Sequence, residues 1–260
     1  MGEHSDNGDR NIEPDNESQS HMPSGHSAIG GLALHSDGFQ LVPSETRFEA
    51  DESNDWSFQI VTENGAAVAE FEEAHGEALH LIIIRRDLTH FQHLHPEISS
   101  EGRCRVEDFS LPVPGVYRAF VDAVIDGQSM TLGFDLFAPG TATVEERPDT
   151  SHHASCEGYE VELLTDTVTA TEPTQLLFEV QRADGSVADL EPYLGARGHL
   201  VALREGDLAY LHVHPKETTS QPGCVEFDAT FPTPGRYRLF LQVKPDGELI
   251  STAFDVRIDH

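Results

Sequence analysis

Lysine is nearly missing from this sequence: it occurs only at Lys216 and Lys244, and Lys and Arg together number 16 against 46 Asp and Glu. With a formal net charge of −30, little is available to neutralise phosphates, which argues against nucleic acid as a partner. The same balance argues against an anionic membrane surface. Cysteine is scarce too. Cys104, Cys156 and Cys224 are an odd, sparse set that makes no disulfide framework. No apolar run approaches the ~20 residues of a membrane span, so insertion is not expected. MGEHSDNGDR, at the start, has neither the basic nor the apolar region of a secretory signal. The expected location is cytoplasmic, with an exported form still open. Catalytic signatures are missing as well: there is no Gly-x-Ser-x-Gly, no glycine-rich phosphate loop and no His-Glu-x-x-His. The expectation is a protein that is not an enzyme.

The acids are spread along the whole chain rather than gathered in a tail. That distribution reads as a salt-adapted, halophilic surface, because concentrated salt screens the self-repulsion of so many like charges. Residues 1–30 are polar and acidic with almost no large apolar side chain. They bury too little surface to offset ordering entropy and are expected to form a disordered tail. His4, His21, His26 and His35 lie in or beside it, and a loose histidine-rich tail can capture metal.

A repeat governs the rest. DGF at 37–39 matches EGY at 157–159, GVYRAF at 115–120 matches GRYRLF at 235–240, and Phe134-Asp135 matches Phe254-Asp255. The offset is 120 at these outer pairs and 119 through the middle, where the turn NGAAV shortens to DGSV. Such a period means two copies of one ordinary domain, not a solenoid. Within a copy the segments read as strands. Trp56 to Val61 alternates and runs into Asn64-Gly65, a hairpin turn. In the stretch before each histidine hairpin, Pro192, Gly195 and Gly198 of the second copy break any helix drawn there. PGVYRAF and PGRYRLF match the approach to strand F of an immunoglobulin-like domain, with its tyrosine corner. The expected architecture is all-β: two tandem immunoglobulin-like β-sandwich domains at 31–139 and 157–260, joined by an exposed linker at 140–156.

One pattern carries chemistry. HLIIIRRDLTHFQHLHP (80–96) and HLVALREGDLAYLHVHP (199–215) each begin with His and end in His-x-His-Pro, with the outer histidines fifteen residues apart. Each reads as a β-hairpin. Side chains alternate along a strand, so His93 and His95 share a face with Phe91, and His212 and His214 share one with Tyr210. Leu94, Leu211 and Val213 then point to the core. Folding the hairpin back sets His80 against His93 or His95, and His199 against His212 or His214. Three imidazoles per copy suit a first-row metal, copper or zinc. Asp122, after GVYRAF, is a further candidate ligand; its counterpart is Gln242. His75 and His90 have no counterparts, since Leu194 and Ala209 stand there, so the first copy is the richer one. A blue-copper centre fits poorly because its ligands include a cysteine, and Cys104 and Cys224 read as ordinary small residues.

The expected partner is therefore a metal ion. The competing expectation is an immunoglobulin-like module for a protein partner, with histidines that bond only to backbone or acidic neighbours. Over about residues 30–258, these strings resemble a family of prokaryotic tandem β-sandwich proteins with no firmly established function. The histidine-rich hairpins are also similar in style to small copper-handling β-sandwiches of the CopC-like and YtkA-like groups. That likeness would imply copper buffering or transfer.

Overall fold

The computed structural model describes residues 29–211, 213–216 and 221–260. The first repeat has nine strands: β1 (His35–Ser36), β2 (Phe39–Pro43), β3 (Asn54–Thr62), β4 (Leu79–Arg85), β5 (Gln92–Leu94), β6 (Glu97–Ile98), β7 (Arg103–Phe109), β8 (Gly115–Ile125) and β9 (Gln128–Ala138). The second has ten: β10 (His153–Cys156), β11 (Tyr159–Leu163), β12 (Pro173–Arg182), β13 (Leu190–Glu191), β14 (Gly198–Arg204), β15 (Tyr210–Leu211), β16 (His214–Pro215), β17 (Cys224–Thr230), β18 (Gly235–Pro245) and β19 (Ile250–Ile258). All these pairings are antiparallel, and the described residues hold no helix that is long and apolar enough to cross a membrane.

In the first repeat, the sheet β1-β2-β3-β7-β6 faces the sheet β5-β4-β8-β9. In the second, β10-β11-β12-β17-β16 faces β15-β14-β18-β19, with β13 added to the end of β18. This is the immunoglobulin arrangement of two antiparallel sheets around a layered core. Alternation builds it: Trp56, Phe58 and Ile60 of β3 point inward and meet Leu81 and Ile83 of β4 and Tyr117, Ala119 and Val121 of β8. Leu211 and Val213 join the second core, and Leu94 packs against the first, as their strand positions require. Both tyrosine corners are present. The Tyr117 hydroxyl donates to the Val113 carbonyl at 2.9 Å, and that of Tyr237 donates to the Thr233 carbonyl at 3.0 Å.

Two expected boundaries shift. Gly30, placed in the tail, forms a bridge with Tyr210 of the second repeat, while the Gly31 N–H donates to the Thr131 carbonyl at 2.9 Å. The Gly31 carbonyl accepts from Arg118 Nε at 3.1 Å and Nη2 at 2.5 Å. Residues 29–33 thus tie β9 to β15, and only glycine fits, since a Cβ on Gly31 would stand 2.3 Å from the Phe120 ring. The remainder of the expected tail, 1–28, lies outside the described residues. The expected linker is exposed over 139–150, but its last residues form β10 and pair with β11, because ladder bonding satisfies their backbone.

The feature that positions everything else is a third core between the repeats. Every residue of β4 is buried. Leu79, Leu81 and Ile83 face the first core, while Ile82 and Ile84 face outward and meet Val201 and Leu203 of β14. Phe91 stacks on Phe240 at 4.3 Å, and Tyr210 packs on Phe120 at 5.5 Å. In the repeat alignment Phe91 corresponds to Tyr210, and Phe120 to Phe240. The two contacts are thus one contact made twice, as in an isologous dimer.

Candidate metal centre

The histidines gather at one end of this third core. His80, on β4, sits opposite Asp122 of β8; its counterpart His199, on β14, sits opposite Gln242 of β18. Both histidines are buried, at 2% and 7% exposure. They occupy outward positions of their sheets, and the docking of the repeats brings them ring to ring at 5.4 Å with planes 15° apart. β5 returns beside β4 with Ile82 opposite His93. The His93 ring then lies 5.1 Å from His80 and 4.5 Å from His199, and His95 lies 5.2 Å from His80 and 4.7 Å from His93. His75 approaches from the Ala74–Glu77 turn, 6.1 Å from His80 and 6.0 Å from His199.

One ligand atom from each of His80, His93 and His199 lies within 4.8 Å of the other two. So His80 and His93 of the first hairpin meet, His95 lies beside them, and the third member of the group is His199 of the other repeat. The second triad does not form among the described residues. His214 is exposed and belongs to β16, paired with Asp228 of β17 in the opposite sheet. In the first repeat the matching switch of sheets begins only at Glu97, two residues past His95, so His95 stays under the cluster. His212 lies outside the described residues. His90 is also remote, 3.2 Å from Glu145 at the hairpin turn.

Asp122 faces the interface but is held by other groups. Thr131 Oγ1 donates to it at 2.8 Å, and the Tyr210 phenol bonds to it from the second repeat. Burial, with that carboxylate beside it, raises the Tyr210 pKa well above the ordinary tyrosine value. Beside His80 and Asp122 is a cavity of about 30 Å³ lined by Ala74, Ala78, Ala123, Val124 and Ser129, room for a single water or small ion.

The protons of this cluster can be counted. His80 Nε2 lies 2.9 Å from the Ala74 carbonyl oxygen and donates to it. His93 Nδ1 lies 2.6 Å from Gln242 Oε1, also an acceptor. The inner pair, His80 Nδ1 and His93 Nε2, faces across 2.9 Å. Three hydrogen bonds need three protons, and two neutral imidazoles carry two. Burial, together with repulsion from His80 and His95, lowers the His93 pKa to about 3 despite the Gln242 bond and the Asp122 charge. His95 is lowered too, by burial and then His80, against Glu77. Were both rings neutral, with Gln242 accepting, no proton would remain for the inner contact, and a cation beside His199 would relieve the two facing lone pairs. A zinc or copper ion bound here would be held by ring nitrogens of His80, His93 and His199.

Gln242 and Tyr210 were not singled out as site residues from sequence. The available signal was a polar residue between apolar neighbours at the same position of two strands, Asp122 between Val121 and Ala123 in β8 and Gln242 between Leu241 and Val243 in β18. Cys104 and Cys224 are buried, and burial pushes the Cys104 thiol up to about 12 and raises that of Cys224. Neither is disposed to act as a thiolate.

No curated protein matches the chain. Among solved structures, InvD of Yersinia pseudotuberculosis is 13% identical over 86% of this chain and 58% of its own, with a TM-score of 0.29. FdeC, an Escherichia coli adhesin, is 13% identical over 88% of this chain and 66% of its own, with a TM-score of 0.28. Invasin, a bacterial integrin-binding protein, is 14% identical over 85% and 38%, with a TM-score of 0.24. This chain therefore spans less than two thirds of each of these structures. Residues 34–140 and 154–260 each match the domain of unknown function DUF8832, one match per sandwich. The chain, with its two docked sandwiches, belongs to that family.

Proposed function

We propose that the protein is a non-enzymatic metal-binding protein that holds one zinc or copper ion in a centre shared by its two repeats, for buffering or transfer of the ion. His80, His93 and His199 are the ligands, with His95 next to them. The observation that carries this reading is the approach of their ligand atoms to within 4.8 Å across the repeat boundary. The chemistry agrees: neutral imidazole suits zinc and copper, and copper(II) binds such sites most tightly. Asp122 acts through its hydrogen bonds rather than as a ligand.

A second reading keeps the histidines structural and makes the tandem sandwich a module for a protein partner. It is favoured by the immunoglobulin-like fold, which hosts many unrelated functions, and by one property of Gln242. With its carboxamide turned over, Nε2 donates to His93 Nδ1 and the same chain of bonds closes with no cation.

Metal analysis separates the two. The protein is incubated with zinc(II) or copper(II), desalted, and its metal content measured. One ion per chain, lost in both His93→Ala and His199→Ala, supports the shared centre. Two ions per chain would restore a separate site in each repeat, and none would reject metal binding altogether.

A further inference from the structure

Resting on that shared centre, we propose that the cleft between the repeats is its loading route, with His75 and His214 forming an outer, transient position for the same ion. The centre is sealed where it lies: His80 and His199 are buried, and the third core closes the interface beside them. An ion must still shed its water and arrive. A cleft of about 310 Å³ opens next to the centre, lined by His75, Gly76, Leu194, Gly195, His214 and Pro215. Its walls are the two equivalent turns, Ala74–Glu77 and Tyr193–Ala196, which meet so closely that a Cβ on Gly76 would stand 3.1 Å from the Leu194 carbonyl carbon. His75 and His214 come from different repeats and do not correspond in the alignment. His214 is exposed at the mouth. His75 is half-buried and is the ring that links the cleft to both His80 and His199, at 6.1 and 6.0 Å. Successive imidazoles along such a path replace waters one at a time, so the ion is never bare between solvent and the centre. This also gives His214, which does not reach the cluster, a function in the site.

The test is stopped-flow loading of the full chain with zinc(II), read by competition with a chromophoric chelator, alongside the equilibrium affinity. His75 has a φ of +52°, so His75→Asn is the suitable variant, since asparagine tolerates that conformation. His214→Ala is the second variant. His153→Ala, which removes an exposed histidine on β10, is the control. Removing an outer ligand removes its share of the stepwise exchange of water for imidazole. Both variants are therefore expected to load several-fold more slowly, with stoichiometry and affinity unchanged and the control unaffected. Loading at the wild-type rate with intact uptake overturns the route and leaves the centre standing. A fall in affinity matching the fall in rate overturns it too, by making the residue an ordinary ligand. If the wild-type chain takes up no zinc, centre and route fall together.

Discussion

His80 and His199 occupy the same position in the two repeats, and their rings stack across the interface with planes 15° apart. Each is buried against the other repeat, so neither hairpin alone holds the cluster.

Loss of a ligand from either repeat should therefore have the same consequence. Zinc at 100 times its dissociation constant should stabilise the wild-type chain by about 2.7 kcal/mol, a rise of about 5 °C in melting temperature. The rise should vanish in His93→Ala and equally in His199→Ala, by calorimetry with and without zinc. A rise that survives in His199→Ala would return the site to the first repeat alone.

The proton count makes a spectroscopic prediction. Histidine-labelled protein without metal, observed by 15N NMR near neutral pH, should show His93 as a neutral ring protonated on Nδ1, its bond to Gln242 intact. A proton on Nε2 instead would mean that Gln242 donates, that the chain closes unaided, and that the structural reading of the histidines is right.

Asp87 sets an acid limit away from the centre. Burial alone would raise its pKa, but hydrogen bonds from Arg85, Thr89 and the Glu145 amide, with the Arg85 charge, bring it to about 2 from 3.8. The folded value lies below the unfolded one. Asp87 thus contributes stability above about pH 4, and that contribution is lost as pH falls through about 2. In urea unfolding, the gap between wild type and Asp87→Asn should be full at neutral pH and shrink steadily from pH 4 downward. A gap independent of pH would remove the ion pair as its cause.

Salt dependence tests the acidic surface. The Debye length contracts from about 30 Å at 0.01 M salt to about 3 Å at 1 M. With a net charge of −30, melting temperature should climb throughout that range and the fold should be weakest in dilute buffer. A flat profile would show that the charges are already balanced locally, by pairs such as Arg86–Asp135 and Arg182–Asp246.

The repeat, its strands and the tyrosine corners were legible in the sequence because each has a local cause: a turn residue, an alternation, an aromatic near a strand start. So was the meeting of His80 with His93, which follows from the register of a single hairpin. The partnership of His80 with His199 was not. It depends on the docking of two sandwiches, which no single hairpin encodes. A trace existed, however. HLIII and HLVAL are continuous apolar runs, whereas a strand with one solvated face alternates, and a run buried on both faces announces a second covering layer. The fate of His214 left no comparable trace. LHVHP and FQHLHP look alike, yet β16 leaves for the opposite sheet at His214 because its backbone finds a partner in β17 there.

The crossed aromatic pairs, Phe91 with Phe240 and Tyr210 with Phe120, have one more consequence. Two identical chains meeting about a twofold axis must offer the same side chain from each half, so any pocket on that axis is lined in matched pairs. Joining the halves in one polypeptide removes that constraint. Here one side supplies His75, His93 and His95 while the other supplies Gln242, a lopsided set of polar groups that a twofold homodimer cannot assemble.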